Sequence, residues 1–263
     1  MHLLVTGQRG TLGQVFTRVA EAAGHRVTGW DRHAASPLDR ERHADWIAGI
    51  APDAIIHLAI AAHPTGADNE GWRVNVEWSL SLAQVAQQRG IPLVFTSTAL
   101  VFDNSVSGPF TLASPANAQE GYGFEKRTAE HGVLLRHPEG ARVVRLGWQI
   151  GPDTQGNNMI AHAAREMAQH GRIAASTCWQ PACSQIEDTA AALLRAVAAP
   201  PGLYMADSNH AGHCFADILA AIAQRDGHAW TIAPNEDYRY DQRLVDRRLG
   251  LPDLAERLPA LRK

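Results

Sequence analysis

The 263 residues carry a formal net charge of -3, so there is no broad positive field to hold DNA or RNA, and nucleic acid is a poor partner. A hydrophobic content of 45% allows a sizeable core, enough for one large α/β domain and a small appended lobe. Three cysteines, Cys178, Cys183 and Cys214, form neither an even disulfide set nor a C-x-x-C spacing, the start has no leader-like pattern, and no apolar run approaches the ~20 residues that cross a bilayer, so a cytoplasmic protein with no membrane contact is expected.

His2 to Thr6 is a short apolar run ending at Gly7, and Leu12, Phe16, Val19 and Ala23 then repeat at helical spacing until Gly24. The pattern predicts a strand, a turn and a helix. His25 to Trp30 reads as a second strand, Arg40 to Ile50 as a second helix, and Ala54 to Ala59 as a third strand without strict alternation, which suits a parallel sheet buried on both faces. A helix carrying Trp78, Leu82 and Val85 closes at Gly90, and the strand Pro92 to Thr96, a helix from Tyr122 to Leu135 and the strand Ala141 to Leu146 follow. This β/α alternation predicts a Rossmann-type, doubly wound α/β fold over residues 1–150. From Gly151 the strands thin out. Helices near Asn158 to His170, Asp188 to Ala198 and Phe215 to Gln224, with a strand at Gly202 to Ala206, predict a smaller lobe over 151–263 that cannot build its own parallel sheet, with part of 178–212 returning to the main one.

Gly7-Gln8-Arg9-Gly10-Thr11-Leu12-Gly13 is a G-x-x-G-x-x-G turn between the first strand and helix. Glycine there lets the backbone approach a pyrophosphate, and the free amides of the helix start attract its charge. Asp31, after the second strand, is placed to accept from adenosine ribose hydroxyls, which favours NAD, whereas Arg9 and Arg32 could clamp a 2'-phosphate and keep NADP open. The sharpest signal is Tyr122-Gly-Phe-Glu-Lys126. At i and i+4 both side chains leave one helix face, and an ammonium beside a phenol is expected to lower its pKa and make it a usable proton donor and acceptor. Only Lys126 and Lys263 are lysines, against 22 arginines, so a lysine retained inside the fold suggests chemistry that arginine cannot supply. Thr96-Ser97-Thr98 closes a strand where open α/β sheets place ligands; Ser97 reads equally well as a strand-end residue satisfying backbone groups. His210-x-x-His213-Cys214 reads as a turn and helix start, so no metal is expected, and no G-x-S-x-G elbow makes Ser97 or Ser184 a hydrolase nucleophile.

In order and spacing, Thr6 to Gly13, Asp31, His57-Leu-Ala59, Arg73-Val-Asn75, Ser97-Thr98 and Tyr122 to Lys126 resemble the extended short-chain dehydrogenase/reductase family over nearly the whole chain, and Arg145-Leu-Gly-Trp-Gln-Ile-Gly-Pro152 resembles the segment leading into its substrate lobe. Within it, Ser97-Thr-Ala-Leu-Val-Phe-Asp103, Trp148 and Gly156-Asn-Asn158 are most similar to the dTDP-4-dehydrorhamnose reductase branch, from which Ala99, Leu100 and the loop Ala61 to Asp68 depart. The resemblance implies an oxidoreductase using NADH or NADPH on a keto group, the 4-keto group of a nucleotide-activated deoxysugar. It implies catalysis by Tyr122, Lys126 and Thr98, and cofactor contacts at Gly7, Gln8, Arg9, Gly10, Leu12, Gly13, Asp31, Arg32, Asp39, Leu58, Ala59, Asn75, Thr96, Tyr122, Lys126 and Leu146. Substrate contacts are implied at Thr98, Tyr122, Trp148 and Asn158. A sugar-nucleotide epimerase or dehydratase and a non-catalytic NAD(P)-binding regulatory subunit remain the alternatives, and homodimerisation stays open.

Overall fold

A computed structural model describes residues 1–62, 65–151 and 156–262; Pro152 and part of the loop Ala61 to Asp68 lie outside them. The chain divides into two compact units, the first comprising residues 1–103, 116–145 and 190–204, the second 104–115, 146–189 and 205–263.

The first unit holds a six-stranded sheet. Its strands are β1 (His2–Thr6), β2 (Arg26–Gly29), β3 (Ala54–His57), β4 (Leu93–Thr98), β5 (Ala141–Leu146) and β6 (Gly202–Ala206). Their order is β6-β5-β4-β3-β1-β2, and β1 pairs in parallel with both β2 and β3, as β3 does with β4. Every residue of β1 and β3 is buried, the condition that strands covered on both faces require and the reason they show as continuous apolar runs. The connecting helices are α1 (Thr11–Ala22), α2 (Glu41–Ile50), a composite helix and α4 (Gly121–Arg136). In the composite helix, Glu70–Trp72 runs into a π-helical stretch, Arg73–Trp78, and then into α3 (Ser79–Arg89). Leu4, Ile55, Phe95, Trp78, Leu82, Ala129 and Val133 pack into one core.

The second unit carries α5 (Met159–His170) and α7 (Phe215–Asp226) around a core of Ile150, Met159, Ile173, Phe215, Leu219 and Leu254. Helix α6 (Ile186–Ala198) contributes residues to both units. The expectation that strands thin out here is corrected. Four short parallel pairs occur, Trp148–Ile150 with Cys183–Gln185, Ile173–Ser176 with Ile232–Asn235, Trp179–Gln180 with Tyr240–Asp241, and Phe110–Thr111 with Leu244–Val245. Segments of two to four residues are too short to show a period, and their partners lie far away in sequence. Among the described residues, no helix is long and apolar enough to cross a membrane.

Candidate functional site

The turn after β1 is shaped by two glycines and left open by the third. Gly7 has φ +70°, and a Cβ on it would lie 2.8 Å from Ala59 N. On Gly13 a Cβ would lie 2.0 Å from Gly7 O, so α1 can pass this close to the turn only as glycine. Gly10, whose amide donates to Gly7 O at 2.9 Å, is exposed, and a Cβ there would meet only that oxygen, at 3.2 Å. It is also the N-cap of α1 and supplies no side-chain cap. The first amides of the helix and their partial positive charge therefore face an open approach, the chemistry of an anion cradle. Gln8 lies over the end of β2, its Oε1 where a Cβ on Gly29 would fall, and Arg9 is exposed, its carbonyl accepting from Gln14 Nε2 at 2.8 Å.

Behind the turn a directed hydrogen-bond chain fixes the ends of β1 and β3. Thr6 Oγ1 accepts from the amides of Leu58 and Ala59, both at 3.2 Å, so its hydroxyl is the donor to His57 Nδ1 at 2.6 Å. His57 Nε2 then carries the proton and donates to Ser79 Oγ at 3.0 Å, and Ser79 donates to Asn75 O at 2.9 Å. Burial first, then Lys126 and His43, holds the His57 pKa well below the ordinary histidine value, in keeping with this neutral tautomer. Thr96 donates its hydroxyl to His57 O at 3.0 Å, tying β4 to β3.

At the end of β2, Asp31 and Arg32 are exposed, and Asp31 Oδ1 accepts from the amide of His33 at 2.9 Å. Asp39 lies in the following loop and pairs with Arg42 at 3.4 Å, both side chains well solvated.

Helix α4 brings its Tyr-Lys pair to β4. Lys126 is fully buried, its Nζ has no hydrogen-bond partner, and it stands 4.0 Å over the ring of Phe95. Burial lowers its pKa to about 7, against the opposing pull of Glu130 and Glu125. Glu130 itself forms a buried two-point pair with Arg145, at 2.9 and 2.7 Å. The Tyr122 phenol is pushed up, by burial first and by Glu125 second. This corrects the expectation of a lowered phenol, because the burial of the phenol itself, and then the Glu125 carboxylate, both oppose the phenolate. Thr98 ends β4, and its Oγ1 accepts from Leu100 N at 3.2 Å, which leaves the hydroxyl proton free to point at a ligand. Ser97 is buried with its Oγ unpartnered. Sequence reasoning gave Glu125 no role and placed His57 in a family motif without foreseeing its hydrogen-bond chain; a glutamate on a helix carries no marking pattern, and the partners of His57, Thr6 and Ser79, lie far from it in sequence.

In the second unit Trp148 is half-buried, stacked on Trp179 and Phe215 at 6.1 and 5.7 Å between centroids. Asn158 is fully buried and caps α5 by accepting from Ala161 N at 2.9 Å. Leu146 closes β5 and falls in this unit. Cys214 caps α7, its sulfur accepting from Asp217 N. Among the described residues no cluster of three or more histidine, cysteine or carboxylate side chains could hold a metal ion.

A doubly wound parallel sheet with a glycine turn at its first crossover, and a Tyr-x-x-x-Lys helix whose lysine is buried against β4, defines an extended short-chain dehydrogenase/reductase-like Rossmann protein. The chain belongs to the RmlD substrate binding domain family, whose model matches residues 1–211. It is 29% identical over 173 residues to dTDP-4-dehydrorhamnose reductase from Streptomyces griseus, an alignment covering 65% of this chain and 56% of the relative. The chain thus spans little more than half the length of the curated relatives it matches. In three dimensions it is similar to a dTDP-4-dehydrorhamnose reductase from Clostridium acetobutylicum (TM-score 0.80, 20% identity, 97% of this chain and 94% of that one). The enzyme of the same name from Bacillus anthracis, in complex with NADP, superposes with a TM-score of 0.81 at 19% identity, over 98% of this chain and 97% of that one.

Proposed function

We propose that the chain is an NAD(P)H-dependent reductase of a keto group, acting on the 4-keto group of a nucleotide-activated deoxysugar, as the names of its relatives state for them. One observation carries the reading, the fully buried Lys126 ammonium with no hydrogen-bond partner. Such a group is costly unless something polar completes it, and the two hydroxyls of a ribose have the right chemistry.

The residues fit a dinucleotide. The open face at Gly10 and the uncapped start of α1 would take the pyrophosphate, and the exposed Asp31 and Arg32 would meet the adenosine ribose, where their opposite charges leave the choice between NADH and NADPH to the assay. When bound, the dinucleotide supplies the hydride. Thr98 donates its hydroxyl proton in a hydrogen bond to the carbonyl oxygen of the sugar and orients it. Tyr122 gives its phenolic proton to the same oxygen as the carbonyl carbon becomes an alcohol carbon, and Lys126 steadies the phenolate left behind. Within the second unit, Trp148, stacked with Trp179 and Phe215, has the aromatic chemistry to contact a nucleotide base or sugar.

The test is a titration with NADH and NADPH, then a screen of 4-keto nucleotide sugars followed at the nicotinamide absorbance. Tyr122→Phe keeps the ring and removes the proton, so it should bind cofactor normally yet lose at least ~10² to 10⁴ in turnover. Wild-type turnover by that variant would overturn the mechanism, and cofactor binding without turnover of any sugar would make the chain a cofactor-binding subunit instead.

A further inference from the structure

From Leu93 to Phe102 every residue is buried except two, Thr98 and Leu100. The two are joined. Thr98 is the N-cap of a single 3-10 turn, Ala99–Val101, and its Oγ1 accepts from Leu100 N at 3.2 Å. The Cβ of Leu100 is two bonds from that nitrogen, so the root of the side chain stands within about 6 Å of the Thr98 hydroxyl. The turn is held from other sides as well. Leu100 O lies against Gly123, the residue after Tyr122, where a Cβ would come within 2.1 Å of it. Val101 O accepts from the amides of Asn117 and Ala118, both at 3.0 Å. Leu100 is therefore fixed by its backbone beside the hydroxyl assigned to the carbonyl oxygen and against the helix start that carries the phenol, while 52% of its surface stays open. An exposed leucine is ordinary by itself; this one is rigidly supported next to the reacting atoms, which is where a side chain can choose between substrates.

We propose that Leu100 is a specificity-determining residue for the reduction: its isobutyl group receives the C6 methyl of a 4-keto-6-deoxysugar and disfavours the hydroxymethyl of a sugar that keeps its 6-hydroxyl. The inference rests on the roles given above to Thr98 and Tyr122. A carbonyl oxygen held by Thr98 has the substituents of the two flanking carbons beside it, and in a 4-keto hexose one of those carbons is C5, which carries C6. A methyl group laid on leucine takes apolar surface of both out of water, an effect of roughly fourfold per buried carbon. A hydroxyl in the same place would give up water beside a surface that returns no hydrogen bond. The Leu100 amide is already bonded to Thr98, and Ala99, Val101 and Phe102 around it are apolar and buried.

The test compares kcat/KM for thymidine diphosphate-4-keto-6-deoxyglucose and thymidine diphosphate-4-ketoglucose, and for the corresponding uridine diphosphate pair, at saturating NADH or NADPH. Wild type should prefer the 6-deoxy member of a pair by about tenfold to a hundredfold. Leu100→Asn keeps the size of the side chain and the backbone amide that Thr98 holds but makes the surface polar. Its preference should fall by about tenfold, with cofactor affinity and melting temperature unchanged. Leu100→Met stays apolar and should keep most of the preference. A purely structural role would slow both members of a pair alike and leave their ratio where it was. Equal kcat/KM for the two sugars in wild type, an unchanged ratio in Leu100→Asn, or the same loss of preference in Leu100→Met would overturn the proposal. Failure of the underlying reading looks different: wild type reducing none of the four sugars, or Tyr122→Phe turning over normally, removes both.

Discussion

The Lys126 ammonium stands 4.0 Å from the centre of the Phe95 ring, and the side chain has no solvent exposure. A cation over a ring recovers only part of the hydration it has lost, so the folded chain holds this proton less tightly than the unfolded chain does. The sign follows from linkage. With the pKa lowered from 10.5 to about 7, the folded state binds fewer protons than the unfolded state between these values. The destabilisation is fully present below about pH 7 and is relieved as pH rises toward 10.5. Lys126→Met should therefore raise the melting temperature at neutral pH, by an amount reflecting at most several kcal/mol at ~1.4 kcal/mol per unit. The gain should vanish in alkaline buffer and turnover should be abolished. Thermal melts of both proteins across pH check this, and a variant less stable than wild type at pH 7 would contradict it. Such an exchange of stability for function is common at sites built for chemistry. It also explains what the composition hinted at, since a bulkier, permanently charged guanidinium could neither fit nor shed its proton here.

At the scale of elements, the turn after β1 separates two kinds of glycine that look alike in sequence. Gly10→Val should leave the melting temperature within a few degrees of wild type but eliminate NADH and NADPH binding, because its side chain would stand in the open approach to α1. Gly13→Ala should destabilise the fold itself, since even a methyl group there overlaps Gly7 O. Calorimetry beside cofactor titration distinguishes them, and normal cofactor affinity in a folded Gly10→Val protein would remove the cradle from this turn. The turn was legible in the sequence because a backbone constraint demands one residue type at fixed spacing. So was Tyr122 to Lys126, because i,i+4 is a helical neighbour relation. The π-helical stretch was not. Trp78, Leu82 and Val85 report the regular helix after it, but nothing in Arg73 to Trp78 announces the extra residue that turns Asn75 toward Glu125. Asn158 was legible as a position, because an asparagine before an apolar helix suits a cap or a ligand contact; the cap is seen, and the contact to substrate stays a proposal.

At the scale of the whole molecule, legibility follows the length of the strands. The six-stranded sheet stood out because its inner strands β1 and β3 are covered on both faces and read as short apolar runs; the second unit did not, because its strand pairs are short and joined by polar side chains rather than by long apolar runs. Asp207 shows how such a unit is held. Its Oδ1 accepts from Cys183 N at 2.9 Å and Asn209 N at 2.8 Å, and its Oδ2 from Leu244 N at 2.8 Å. One carboxylate thus joins three segments that the sequence keeps up to 61 residues apart, from Cys183 to Leu244. Burial raises its pKa to about 6 against the pull of those three amides and of Arg243. Asp207→Ala would strand all three buried donors, each costing about 1–3 kcal/mol, enough to unfold a domain of ordinary stability. The matched control is Asp226→Ala, which removes a partly solvated pair with Arg225 at 2.6 Å and should change stability by no more than about 1 kcal/mol. Thermal or urea denaturation should show Asp207→Ala strongly destabilised and Asp226→Ala near wild type; comparable midpoints for the two would mean that the three backbone segments are held together by apolar packing, with the buried carboxylate contributing little.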